Sequence, residues 1–102
     1  MRFSPVGSTV LAAYDGRATI EVDGEVAEAS VILESWSEVG TTLKGWAGIV
    51  AFDDGPEGAM EWRALESGTV TIKIGSRSAP AAFLGSGVLA GRRPGPPPFG
   101  PE

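Results

Sequence analysis

The sequence predicts an all-β domain, a small antiparallel curled sheet or partly open barrel of five to six strands, on three observations. Fifteen Gly and eight Pro among 102 residues leave no stretch free enough of chain breakers for long helices. Several short runs alternate polar and apolar residues with the period of two that a half-buried strand shows. Pairs such as Asp23-Gly24 and Gly75-Ser76 stand between those runs, where tight hairpin turns need them. A length of 102 residues is that of one domain. It divides into a loosely held N-terminus over 1–9, a β domain over 10–91 and a Pro-rich tail over 92–102.

Arg17 to Val22 alternates, and Asp23-Gly24 then turns the chain into a second extended run, Glu25 to Trp36. A two-residue type I′ turn pairs Val22 with Glu25, Ile20 with Ala27 and Ala18 with Ala29, gathering Ala18, Ile20, Val22, Ala27, Ala29, Val31 and Leu33 on one uncharged face. A slip by one residue would set Glu28 on that face. The third strand, Thr42 to Phe52, follows a five-residue loop from Ser37 to Thr41. That loop pairs Leu33 with Gly45, Val31 with Ala47, Ala29 with Ile49 and Ala27 with Ala51, and puts Glu34 opposite Lys44. The outer face of this meander then carries Arg17, Thr19, Glu21, Glu28, Glu34 and Lys44, with Glu28 and Glu34 exposed.

Asp53-Asp54-Gly55-Pro56 ends the third strand, and Glu57 to Ser67 is compatible with a loop, one helical turn or an irregular edge strand. Thr69 to Ile74 alternates with Val70, Ile72 and Ile74 inward. Gly75-Ser76 fits a type II′ turn into Arg77 to Leu84, whose inner residues are Ala79, Ala81 and Phe83. Pro80 lacks an amide donor and belongs at an edge or facing out of the ladder. Gly85-Ser86-Gly87 breaks or bulges the chain before a short strand, Val88 to Ala90.

With no Cys and no His, the chain lacks disulfides, thiol nucleophiles, imidazole catalysis and the usual zinc ligands. Asp53, Asp54 and Glu57 are the nearest approach to a carboxylate site, but Asp-Asp-Gly-Pro is ordinary turn chemistry. Tyr14, Lys44 and Lys73 each stand alone. The expectation is a protein that is not an enzyme and needs no cofactor and no metal. The net charge of −5 is uneven. Residues 15–66 hold twelve acids against Arg17, Lys44 and Arg63, while 67–102 hold Lys73, Arg77, Arg92 and Arg93 against Glu102. That acidity disfavours nucleic acid and anionic membrane surfaces as partners. The apolar run Val10 to Tyr14 is too short for a signal h-region or a spanning helix, so a cytoplasmic location is expected.

The aromatic residues leave more open. Gly45-Trp46-Ala47-Gly48 suits a ligand that approaches the backbone, or a bulge or bend that Trp46 fills. Trp36 and Trp62 carry the same ambiguity, since Trp is usually largely buried but is also enriched at interaction hot spots. Pro94 and Pro97 have PxxP spacing, against which stands a tail either disordered or anchored across the barrel by Phe99. On the outer face the expected register sets Val26 beside Phe52 and Ile32 beside Trp46, with Trp36 extending the stripe. Such a patch of several hundred Å² nears the upper limit on soluble monomers. The tail, residues 53–64, or a partner must cover it. The reading is a non-catalytic protein-interaction module bound to a protein partner or to a second copy through Val26, Ile32, Trp36, Trp46 and Phe52. Two alternatives stay open, an acidic mimic of DNA presenting Glu21, Glu28 and Glu34, and a small-molecule-binding β-barrel.

Tyr14-Asp15-Gly16-Arg17-Ala18-Thr19 leading to Val22-Asp23-Gly24, then Leu43-Lys44-Gly45-Trp46-Ala47-Gly48, Gly68-Thr69-Val70, Gly85-Ser86-Gly87 and Gly95-Pro96-Pro97-Pro98-Phe99 are the residues of a resemblance. Over 14–99 the chain resembles short, uncharacterised β-rich proteins of actinobacteria and their bacteriophages. The resemblance implies a phage or actinobacterial source and a β fold, and it carries no catalytic residues; with a phage source, the partner expected of the interaction module is a host protein or a second copy.

Overall fold

The structure, a computed structural model, describes residues 6–37, 44–55, 58–91 and 96–100. Residues 38–43, on which most of the expected Ser37 to Thr41 loop and the expected strand start at Thr42 fall, and Glu57, Arg92, Arg93 and Pro94 lie outside the described residues. In chain order the elements are β1 (Thr9–Val22), β2 (Glu25–Ser37), β3 (Lys44–Phe52), α1 (Ala59–Ser67), β4 (Thr69–Ile74), β5 (Arg77–Gly85) and β6 (Val88–Gly91). The strands pair antiparallel in the order β1-β2-β3-β6-β5-β4 and close into a barrel. The all-β class holds, and the sheet closes completely, which leaves no strand pairing open at a sheet edge along the closed stretch. Closure rests on short seams, β1 with β4 over Thr19 to Glu21 and β3 with β6 over Ala47 to Ile49.

The β1–β2 hairpin has the expected register, with Val22 opposite Glu25, Ile20 opposite Ala27 and Ala18 opposite Ala29. Asp23 and Gly24, at φ 50° and 85°, form the left-handed pair that a type I′ turn requires. Ala18, Ile20, Val22, Ala29, Val31 and Leu33 are buried, with Val70, Ile72, Ala79, Ala81 and Phe83 across the barrel. Ile74 pairs with Arg77 around Gly75-Ser76. Leu84 is the extra residue of a bulge between Phe83 and Gly85, at the glycine-rich turn whose composition predicts an irregularity. Pro80 pairs with Thr71, and β6 ends opposite Ala81, so no described residue on that side asks Pro80 for an amide.

Two expectations are corrected. In the first, β3 is displaced by three residues from the expected register: Leu33 faces Gly48 rather than Gly45, Val31 faces Val50 rather than Ala47, and Ala29 faces Phe52 rather than Ile49. An odd shift reverses the faces, so Trp46, Val50 and Phe52 enter the core while Ala47, Ile49 and Ala51 turn outward. The physical reason is area. Two aromatic rings and a valine bury far more apolar surface than two alanines and an isoleucine. Gly48 completes the fit, because a Cβ there would overlap the Ile32 carbonyl oxygen. In the second, Glu34 is buried, not exposed, and lies between Ala13 and Ala47 instead of opposite Lys44. β1 begins at Thr9, well before the alternation at Arg17, so Glu34 is flanked by strands on both sides.

The stretch compatible in sequence with a loop, a turn or a strand is a nine-residue helix. Ala, Met, Glu, Arg and Leu are strong helix formers. The Asp54 carboxylate accepts the Met60 backbone N–H at 3.2 Å, satisfying one of the donors exposed at the helix start. At the other end Gly68, at φ 75°, donates its N–H to the Ala64 carbonyl at 2.8 Å and stops the helix. Buried Ala64 and half-buried Met60, four residues apart, face the core, so α1 lies over the barrel end that holds Phe52 and Thr69. At the opposite end Phe99 is buried against Tyr14 and Trp46, so its segment is anchored across the barrel. Among the described residues no helix is long and apolar enough to cross a membrane.

Candidate interaction surface

The five residues expected to form one outer stripe do not meet. Val26, at the hairpin tip opposite Glu21, is 57% exposed, and Ile32, between Asp15 and Ile49, is 42% exposed. Trp36 keeps its place outside the core but is buried, its indole lying over Gly45 on β3 and opposite Val10 on β1. Trp46 and Phe52 are inside: Trp46 meets the Phe99 ring edge-on at 6.1 Å, and Phe52 lies 6.3 Å from Phe83. The β2–β3 register runs without a shift through Gly45-Trp46-Ala47-Gly48, so no bulge forms there. Among the described residues the indole N–H groups of Trp36 and Trp46 are buried without an acceptor.

The outer charges form a girdle of pairs. Arg17 reaches over β2 to the Asp53 carboxylate with two hydrogen bonds, at 2.9 and 2.6 Å, and also donates to Ser30 at 2.9 Å. The guanidinium hydrogen bonds hold the Asp53 carboxyl below its ordinary range, and the same bonds raise Arg17. Lys73 lies 3.4 Å from Glu21, Arg63 lies 3.9 Å from Glu25, and the Thr19 hydroxyl donates to Glu28 at 3.2 Å. Asp53 and Asp54 therefore act apart, one on Arg17 and the other on the start of α1. Among the described residues no three acids are placed to share a metal ion. The row Glu21, Glu28 and Glu34 is broken as well, since Lys73 neutralises the first and the third is buried. Among the described residues the barrel interior is filled by side chains, Ile20, Leu33, Ile72 and Leu89 being fully buried there.

The α1 end gathers exposed apolar groups instead. Helix positions 60 and 64 serve the core, which leaves Trp62 and Leu65, three apart and therefore neighbours on the helix surface, facing water at 58% and 50% exposure. With Glu61, Phe83, Gly85 and Ser86 they line a cavity of about 190 Å³. Leu84, pushed out by the bulge between two lining residues, is 63% exposed. Sequence reasoning singled out Trp62 without a role and missed Leu65 and Leu84. The available signal was the three-residue spacing of Trp62 and Leu65, which acquires meaning only once the segment is a helix. No protein-family model, no curated protein and no solved structure matches the chain.

Proposed function

We propose that the chain is a non-catalytic protein-interaction module whose contact surface is the α1 end of the barrel, Trp62, Leu65 and Leu84. One observation carries the reading: three large apolar side chains stand at least half exposed around one groove, at an end of the molecule that the fold itself does not need to cover. Exposed Trp on a rigid support is a favourable binding anchor because it buries much area at little conformational cost. The resemblance to actinobacterial and phage proteins directs the search for a partner to a host protein of that group.

The test compares Trp62→Asp with Ile32→Asp, one change at the α1 end and one on the outer sheet face. Both sites are exposed, so both variants are expected to keep the strand-type circular dichroism of the parent. The wild-type chain and Ile32→Asp should retain the same partner from an actinobacterial lysate, or the same self-association by light scattering, and Trp62→Asp should lose it. Equal retention by both variants would overturn the assignment of the surface.

A further inference from the structure

Residues 96–100 are attached to the barrel without belonging to its ladders. Among the described residues their hydrogen bonds come from Arg77, which donates to the Gly100 carbonyl at 2.6 Å and to the Pro97 carbonyl at 3.0 Å. Pro98 and Phe99 are buried, the Phe99 ring edge-on to Trp46 and tilted on Tyr14 at 6.4 Å. Polar groups that read main-chain carbonyls beside aromatic rings are the means by which extended proline-rich segments are recognised, since such a segment is stiff and leaves its carbonyls unpaired. The cleft between Tyr14, Trp46 and Arg77 therefore has the build of a peptide site, seen here with the chain's own segment in it. Withdrawing that segment breaks no strand pairing.

We propose that this cleft is a binding site for a proline-rich segment that residues 96–100 of a second copy fill, so that two chains trade tails. A second copy carries the fitting sequence by identity, and the ring packing and Arg77 hydrogen bonds given up within one chain form again between the two, the cost being that of association. Only residues 92–95 join Gly91 to the docked segment, so docking within one chain corresponds to a local concentration on the order of millimolar, and exchange grows as the protein approaches it.

Two full-length variants test this by complementation. Phe99→Ala keeps the cleft and spoils the tail, whereas Arg77→Glu keeps the tail and spoils the cleft. Each alone should run as a monomer of 10.5 kDa, and their equimolar mixture should give a one-to-one species of twice that mass by light scattering. The wild-type chain should show a dimer fraction that rises with concentration and falls at least tenfold in Phe99→Ala. A mixture that stays monomeric while Phe99→Ala remains folded by near-ultraviolet circular dichroism overturns the proposal. If Phe99→Ala unfolds alone, its titration with Arg77→Glu decides: recovery of the near-ultraviolet signal supports exchange, and no recovery overturns it. Adding Trp62→Asp to both chains separates this site from the α1 surface, because tail exchange should survive that change.

Discussion

Arg17 and Asp53 show what an exposed ion pair can do when its geometry is fixed. Two parallel hydrogen bonds join the groups across β2, and each side chain remains about half exposed. Because the bonds lower the folded-state pKa of Asp53, its contribution to stability is present above the unfolded value, near 4, and is lost as pH falls through the lowered one. Arg17, already charged throughout this range, adds no pH dependence of its own. Urea midpoints of wild type and Asp53→Asn should therefore differ by a constant amount above about pH 5 and converge in acid, with the gap shrinking in molar salt. A gap that persists unchanged at pH 2 would disprove the pairing as its cause. Gly48 makes a steeper case, since a methyl group there meets first the Ile32 carbonyl in the backbone of β2, which cannot swing aside as the nearby Leu33 side chain can. Gly48→Ala should cost about 3 kcal/mol, the upper part of the overpacking range, in chemical denaturation. A cost under about 1 kcal/mol would mean that the strands can part at this point.

Among the elements, α1 depends on its ends more than on its face. Gly68 sits in the left-handed region with open space where a Cβ would be, so Gly68→Ala carries only a conformational penalty and should cost about 1 kcal/mol. A neutral result in thermal unfolding would show that the helix has another stop. The same contrast explains what could be read from the amino acids. The β1–β2 hairpin was legible because Asp23-Gly24 fixes the turn and alternation fixes the face, both within a few residues of chain. The β3 register was not, because loop length admits several pairings and the choice falls to the volume of Trp46 and Phe52 in a closed interior. α1 was hidden because its start is capped by Asp54, outside the helix, and its only fully buried residue is Ala64. Its exposed pair, Trp62 and Leu65, was invisible for the same reason.

For the whole molecule, the decisive feature is how the barrel is clasped. In a two-residue hairpin the pair beside the turn is hydrogen-bonded, so counting back by twos from Val22 and Glu25 gives Ile20 and Ala18 to β2 and leaves Glu21 and Thr19 pointing at β4. Counting back from Ile74 and Arg77 leaves Lys73 and Thr71 pointing at β1. The observed partners, Thr19 with Lys73 and Glu21 with Thr71, agree with both counts. Beyond Thr19 the described strands offer β1 no partner on that side, and the Tyr14 hydroxyl takes up the Arg17 carbonyl at 2.6 Å. Opening the clasp therefore breaks the pairing of Thr19 to Glu21 while the long hairpin stays whole. Native-state hydrogen exchange should show alternation along a single strand, with the amides of Thr19 and Glu21 exchanging at least tenfold faster than those of Ala18 and Ile20, which corresponds to about 1.4 kcal/mol between the two openings. The amides of Thr71 and Lys73 should follow Thr19 and Glu21. Uniform protection along β1 would mean that the barrel opens only by unfolding as a unit, and that this seam is no weaker than the hairpin beside it.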